Sequence, residues 1–154
     1  MNKDYILKFV DETLTDKRKI HTAGVRDMAL KLCDIYGADK EKVEIAANLA
    51  HGKIAAAVMK DILKIDDDDI LNAVSFHTTG RPAMSQIEKI IYISDAIEIN
   101  RKPYPNLEKI RELALTDLDK ACEMSLKNTI NFLNELNKTI DEDTLDAYRY
   151  FQER

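Results

Sequence analysis

The sequence predicts an all-α protein, a single helical bundle formed by residues 1–154. The chain contains only 4 Gly and 3 Pro among 154 residues. Its apolar residues recur at intervals of three and four, which is the period of an amphipathic helix, and the alternation typical of a strand is missing. A chain of this length can bury a core without disulfides or structural metals, so a bound metal ion would be functional.

In chain order, eight helices are predicted from this periodicity, at 3–14, 17–36, 40–63, 67–78, 85–99, 106–115, 118–137 and 142–152. Side chains that can accept hydrogen bonds from the first backbone amides of a helix precede six of them. These predicted caps are Asp39, Asp66, Ser85, Asn106, Asp117 and Asp141. Gly37 and the segment Gly80-Arg81-Pro82 fall where two of the helices should end.

Charge and composition exclude several classes of protein. Lys and Arg number 23 and Asp and Glu 28, and no basic stretch stands out, so we predict no nucleic-acid partner. The sequence has no apolar run long enough to span a membrane, and its first residues are too polar for a signal peptide, so we predict a cytoplasmic protein without membrane association. Cys33 and Cys122 lie in apolar segments and are predicted to be reduced core thiols.

All three histidines are predicted to point inward. Each continues the apolar stripe of the helix that contains it: His21 in 17–36, His51 in 40–63 and His77 in 67–78. Taken singly, an inward histidine is often a core residue that a local hydrogen bond satisfies. The histidines therefore indicate a site only in combination with other polar groups.

Asp95 is the fourth informative residue, because it lies in the apolar segment 90–97. A carboxylate buried there without a partner would cost several kcal/mol, so Asp95 should be paired with Arg or Lys, hydrogen-bonded or bound to a metal. Three imidazoles and a carboxylate are the ligand types of a transition-metal site. Their spacing along the chain matches no local metal motif, so both interpretations stay open.

Four segments, in order, resemble the signatures of the YqeK-like HD-domain phosphohydrolases, the bacterial enzymes that hydrolyse diadenosine tetraphosphate symmetrically. The segments are Arg18 to Val25, His51 to Ala56, His77 to Arg81 and Ser94 to Arg101. The resemblance extends from about residue 5 to the C-terminus and implies an all-helical HD-domain bundle. It also implies cleavage in the middle of the phosphate chain, which yields two ADP.

The resemblance further implies two metal ions, with iron expected first and manganese or cobalt as alternatives. By the family pattern, His21 and Asp95 would ligate one ion and His51 and His77 the other, and a metal-activated water would attack without a side-chain nucleophile. The residues that would bind the substrate are Arg18, Lys53, Thr78, Thr79, Arg81 and Arg101. Each of these cations could instead be an ordinary surface charge, and the two threonines could merely end a helix. The oligomeric state stays open, with a homodimer as one alternative.

The chain departs from this pattern at one point, because the His-Asp dyad that names the HD superfamily is missing. Ile45-Ala46-Ala47 leads directly into Asn48-Leu49-Ala50-His51-Gly52. In the family the dyad aspartate bridges the two metals. Without it each ion keeps two protein ligands, fewer than the three usual at a catalytic zinc.

Two explanations compete for the missing dyad. Either several tens of residues of an active enzyme are lost from this sequence, which we favour, or the short chain is an inactive nucleotide-binding relative. The first explanation predicts a break in the backbone between Ala46 and Leu49, since consecutive α-carbons lie about 3.8 Å apart. A third possibility is a purely structural bundle, in which the histidines bond only to backbone carbonyls.

Overall fold

The computed structural model describes residues 2–50 and 56–154. Within these ranges the chain forms helices and no strand, which confirms the all-α prediction. The helices are α1 (Lys3–Thr13), α2 (Asp16–Tyr36), α3 (Lys40–Leu49), α4 (Ala56–Asp61), α5 (Asp68–Ser75), α6 (Gln86–Ile97), α7 (Leu107–Ala114), α8 (Leu118–Glu135) and α9 (Glu142–Gln152).

Two of the predicted helices extend too far. The segment 40–63 is not one helix, because α3 ends at Leu49 and α4 begins at Ala56. The segment 67–78 ends early, because α5 stops at Ser75 and leaves His77 in the turn that follows. Gly80 closes this turn in the left-handed conformation (φ 68°), and its amide donates to the carbonyl oxygen of Phe76 at 2.8 Å.

Four of the six predicted caps are confirmed. The side chains of Asp39, Ser85, Asp117 and Asp141 accept hydrogen bonds from backbone amides in the first turns of α3, α6, α8 and α9. The cap of α5 is Asp67 rather than Asp66, because the Asp67 carboxylate accepts from the amide of Ile70 at 3.3 Å. Asn106 precedes α7 without a side-chain cap bond.

The backbone is continuous where the dyad is missing. The amide of Ala50 donates to the carbonyl oxygen of Ala46 at 2.9 Å, an ordinary helical bond within the last turn of α3. No break lies between Ala46 and Leu49, and both explanations of the missing dyad therefore stand. In place of the dyad, α3 buries Asn48, whose Nδ2 donates to the carbonyl oxygen of Glu44 at 2.8 Å.

Helix α6 lies at the centre of the bundle and determines where Asp95 sits. It packs against α2, α3, α5, α7 and α8, and its isoleucines Ile90, Ile91, Ile93 and Ile97 are fully buried. Burial of each such side chain contributes about 1.5–3 kcal/mol, so the position of α6 is strongly determined. Cys33 and Cys122 are buried and free, as predicted.

In the parts of the chain that the structure describes, no helix has both the length and the hydrophobicity needed to cross a bilayer.

Candidate metal centre and substrate cavity

One large cavity, of about 1040 Å³, brings several of the predicted site residues together. Its walls come from α2, α6 and α8, from the turn after α5 and from the segment 98–106. His21, His77 and Asp95 all line it. His51 and Lys53, the remaining predicted ligand and one predicted substrate-binding cation, lie outside the described residues.

His21 is held between two carboxylates. Its Nε2 lies 3.0 Å from Oδ1 of Asp95, and its Nδ1 lies 3.1 Å from Oε1 of Glu98. The hydrogen bond with Asp95 raises the pKa of His21 above its ordinary value, and the bond with Glu98 adds to this, while burial opposes both. Both carboxylates thus favour the protonated ring, which can donate through both nitrogens.

The same separation also suits a metal ion. Two ligands that each lie about 2.1 Å from one ion, at right angles to each other, are about 3 Å apart. The 3.0 Å between His21 Nε2 and Asp95 Oδ1 therefore fits two neighbouring ligands of one ion as well as it fits a hydrogen bond. Deprotonation of His21 would be part of metal binding.

Asp95, a carboxylate within an apolar helix, is paired with Arg101. Nη2 of Arg101 lies 3.1 Å from its Oδ1, and Nε of Arg101 donates to its backbone oxygen at 2.7 Å. Its side chain is 14% exposed. The carboxylate is thus held by a cation on one side and by His21 on the other, which offsets its desolvation.

Glu98 is a site residue that the sequence analysis missed. It follows Asp95 by three residues, its side chain is buried, and its Oε2 accepts from the amide of Asn100 at 2.7 Å. Gly24 makes room for it, because a Cβ built on Gly24 would overlap Oε2 of Glu98. The signal in the sequence was the helical spacing: Glu98 is three residues after Asp95, and Gly24 is three residues after His21.

His77 is oriented by the backbone. Its Nδ1 donates to the carbonyl oxygen of Val74 at 2.6 Å, because a carbonyl can only accept. In the neutral ring this places the proton on Nδ1 and the lone pair on Nε2, which is the arrangement usual for a metal-ligating histidine.

Two of the predicted substrate-binding residues are used elsewhere. Nε and Nη2 of Arg81 donate to the buried carboxylate of Glu88 at 2.7 and 2.6 Å, and the guanidinium lies 5.5 Å from the ring centre of Phe76. Thr79 donates to the carbonyl oxygen of Gly80, and its own carbonyl accepts from Thr144. Neither Arg81 nor Thr79 lines the cavity.

The cations and the hydroxyl that reach the cavity differ in part from those predicted. Arg101 and Thr78 line it, whereas Arg18 is not among the described residues that do. Lys17 lines it instead, and so does Lys102. Lys17 lies four residues before His21, so the two side chains share one face of α2. Helical spacing therefore identifies this cavity cation, whereas closeness to His21 along the chain pointed to Arg18.

The described residues supply part of a metal site. In residues 2–50 and 56–154 there is no group of three His, Cys, Asp or Glu side chains arranged to hold an ion. His21 and Asp95 converge as a pair, and His77 lines the same cavity. This donor set fits one ion with two protein ligands.

Comparison with known proteins places these observations in a family. No family model matches the chain. A symmetrical bis(5'-nucleosyl)-tetraphosphatase of Halalkalibacterium halodurans is 38% identical over 96% of both chains, and one of Bacillus subtilis is 35% identical over 97% of both. A crystal structure from Clostridium acetobutylicum, described as a predicted HD superfamily hydrolase involved in NAD metabolism, superposes with a TM-score of 0.90 and 33% identity over 100% of this chain and 98% of that one.

The alignments also show that the chain is shorter than these relatives. The alignment with the H. halodurans protein runs over 180 positions, whereas this chain has 154 residues. At least 26 aligned positions (180 less 154) are therefore gaps in this chain. Because the aligned part covers almost all of both proteins, these gaps are internal.

Proposed function

Because this chain belongs to the family of symmetrical bis(5'-nucleosyl)-tetraphosphatases, within the HD superfamily of hydrolases, we propose that it hydrolyses diadenosine tetraphosphate to two ADP. One observation carries the proposal: His21, Asp95 and His77, three of the four predicted ligands, line a single cavity, and His21 meets Asp95 at 3.0 Å. Had the predicted ligands faced different parts of the protein, they could not have formed one site.

The proposed cofactor is a pair of divalent metal ions, as is general among HD hydrolases, with iron expected first and manganese or cobalt as alternatives. His21 and Asp95 would hold one ion, and His77 together with His51 would hold the other. A bound divalent ion supplies a Lewis acid for a phosphoryl oxygen and lowers the pKa of a water molecule that it binds. This is the chemistry that phosphate hydrolysis needs at neutral pH.

The residues of the chain prepare this chemistry by orienting the ligands. Glu98 fixes the ring of His21 through Nδ1, and the carbonyl of Val74 fixes His77 in the same way. Arg101 holds the carboxylate of Asp95. Such outer partners determine the tautomer and orientation of a ligating group.

Binding of the phosphate chain falls to the cations that line the cavity. Arg101 uses Nε and Nη2 for Asp95, and its Nη1 makes no hydrogen bond to the described residues, so it can donate to a phosphate oxygen. Lys17 and Lys102 add two charges to the same walls, and Thr78 adds a hydroxyl. These cations share the cavity walls with the carboxylates of Asp95, Glu98 and Glu135, so each phosphate contact would be made by an individual cation.

A second candidate is a nucleotide-binding protein without turnover. It is favoured by the internal gaps against the relatives, by the continuous helix α3 at the missing dyad, and by the lack of a three-ligand group among the described residues. Under this alternative the cavity binds nucleotides, but the metal occupancy needed for hydrolysis is not reached.

We also propose that the protein acts in the cytoplasm as one domain and without a nucleic-acid partner, on the strength of its acidic composition. A homodimer remains the alternative to a monomer.

The experiment that tests the function is an assay of diadenosine tetraphosphate hydrolysis with added Fe²⁺, Mn²⁺ or Co²⁺, on a chain whose intact mass has been checked. We expect ADP as the product, and His77→Ala should remove one of the two bound metal ions and abolish hydrolysis. Ser75→Ala, an exposed position two residues earlier, is the matched control and should change neither. ADP binding without any turnover would favour the second candidate. Full activity and metal content in the His77→Ala variant would refute the proposal.

A further inference from the structure

The α8 wall of the cavity carries an exposed apolar side chain that phosphate binding does not require. Phe132, near the end of α8, lines the cavity with 59% of its surface exposed, and Ile20 on α2 lines it with 60% exposed. Both are large apolar side chains in a cavity that also carries Lys17, Lys102 and Arg101. An exposed aromatic ring within a concave, charged site is the kind of feature that marks a ligand contact.

Next to Phe132 stands an amide with unused hydrogen-bonding capacity. Asn131 lines the cavity, is exposed, and makes no hydrogen bond to another residue in the described ranges. Asn128, one turn earlier, is already engaged, because its Nδ2 donates to Pro105 at 2.6 Å and its Oδ1 accepts from Asn106 at 3.1 Å. Asn128 therefore fixes the 98–106 segment to α8, and Asn131 is left for a ligand.

The α8 wall is held at a fixed distance from the proposed metal centre. Tyr92 on α6 lies three residues before Asp95, is 4% exposed, and lines the cavity together with Ser125 and Thr129 of α8. Thr129 lies three residues before Phe132, on the same face of α8. Asp95 and Phe132 therefore line one cavity from two helices that pack against each other.

We propose that Phe132 and Asn131 form the subsite for an adenine base of the substrate, with the base stacked on the Phe132 ring. This inference rests on the proposed function, which places the phosphate chain at His21 and Asp95. Stacking on an aromatic side chain is a common way to bind an unpaired base, and an Asn side chain can match the N6 and N7 edge of adenine.

Size and charge agree with this assignment. The volume of about 1040 Å³ is at the upper end of the range of small-molecule sites, which suits a dinucleotide. The cations Lys17, Arg101 and Lys102 line the same cavity as the ring and the proposed ligands. A nucleotide that spans the cavity would therefore find cations for its phosphates and an aromatic ring for its base.

The test compares ADP with inorganic tripolyphosphate, by calorimetry in the presence of Mn²⁺, on the full chain. Phe132→Ala should weaken ADP binding by about tenfold or more, which is the usual effect of losing one base-stacking contact. It should leave tripolyphosphate affinity unchanged, since that probe has no base. Asn131→Leu should weaken ADP binding in the same selective way. Leu136→Ala, which removes another exposed apolar side chain close by, at a position outside the cavity, should change neither affinity.

Three results would overturn the inference: unchanged ADP affinity in Phe132→Ala, an equal loss of tripolyphosphate affinity, or a change in oligomeric state that accounts for the loss. The hydrolysis assay separates this inference from the proposed function. Hydrolysis by the wild-type chain with unaltered KM in Phe132→Ala would refute the subsite alone. No hydrolysis, together with selective loss of ADP binding in Phe132→Ala, would refute the function and retain the subsite.

Discussion

His21 owes its position to a buried carboxylate and to the absence of a side chain at Gly24. Glu98 accepts from Nδ1 of His21 and from the amide of Asn100, and Gly24 leaves room for that carboxylate against α2. The three groups form one unit, because a change in any of them moves the imidazole that faces Asp95. The arrangement is the familiar one in which a carboxylate fixes a metal-ligating histidine.

Glu98→Gln should lower the affinity of the His21 site for Mn²⁺ by about 10- to 100-fold, because the charge that makes His21 a strong ligand is lost. Titration with Mn²⁺, followed by electron paramagnetic resonance, measures this directly. Glu112→Gln, at an exposed position on α7, is the matched control and should leave the affinity unchanged. Equal affinities in the two variants would show that Glu98 serves the fold alone.

Gly24→Ala tests whether the space next to Gly24 is needed for the carboxylate of Glu98. Within a helix this substitution ordinarily stabilises by about 1 kcal/mol, but here the new Cβ would collide with Oε2 of Glu98. We therefore expect reduced stability in urea and weaker Mn²⁺ binding. Gly37→Ala is the control, because Gly37 has φ 69° and an added Cβ there meets nothing within 4 Å. It should cost about 1–2 kcal/mol of stability and leave metal affinity intact.

At the scale of the element, α5 and the turn after it place His77. Asp67 caps α5 and also binds Nζ of Lys42 on α3 at 2.8 Å, so one carboxylate begins α5 and connects it to α3. The hydrogen bond from Lys42 is the largest influence on Asp67 and lowers the pKa of its carboxyl below the ordinary value, against the effect of burial. The start of the helix that precedes His77 is therefore sensitive to acid.

Asp67→Asn keeps an oxygen that can cap α5 but removes the charge. A carboxyl whose pKa is lowered by folding stabilises the folded protein, and this stabilisation is fully present above the ordinary pKa of about 3.9. The stabilisation is lost as the pH falls through the lowered pKa of the folded protein. Near neutral pH the free energy of unfolding of the wild type should therefore exceed that of Asp67→Asn by less than about 1 kcal/mol, since the Asp67–Lys42 pair is partly exposed. The difference should shrink as the pH falls below about 3.9.

Asp67→Ala is the comparison for this prediction. It removes the cap as well, so it should be about 1 kcal/mol less stable than Asp67→Asn at every pH in the series. Urea unfolding followed by circular dichroism measures all three proteins. A difference between wild type and Asp67→Asn that persists in acid would contradict the linkage to Lys42.

Most helices were predictable from the sequence because they obey local rules. The apolar period of α6 and α8 and the caps Ser85 and Asp117 are properties of neighbouring residues. The end of α5 was missed, because the apolar stripe continues to His77 while the backbone turns at Phe76. The periodicity of side chains does not record where a backbone hydrogen bond is broken.

At the scale of the whole molecule, the site was predictable only in outline. Inward histidines and an apolar Asp95 indicated a shared cavity, but which cations reach it depends on packing between distant helices. Arg81 was predicted to bind substrate, yet it is used by Glu88, because a buried carboxylate needs a cation nearby. Lys17 and Phe132 reach the cavity through the orientation of α2 and α8, which no local pattern reveals.

The missing segment yields a prediction for the entire chain. Insertion between Ala47 and Asn48 of the residues by which the B. subtilis relative exceeds this chain should raise bound metal toward two ions per chain and increase diadenosine tetraphosphate hydrolysis by at least about tenfold. A Gly/Ser insert of equal length is the control and should do neither. Metal content by mass spectrometry and ADP release measure both effects. Equal results from the two inserts would show that the short chain is complete in its chemistry.

The proposal that His21 and Asp95 hold a divalent ion is tested most directly by anomalous diffraction from crystals soaked in Mn²⁺. We predict an anomalous peak within about 2.5 Å of both Nε2 of His21 and Oδ1 of Asp95, the usual range for such ligands. The peak should be lost in His21→Ala. Crystals with no peak in the cavity, and with the His21–Asp95 hydrogen bond intact at saturating Mn²⁺, would contradict the metal centre and the hydrolase mechanism that depends on it.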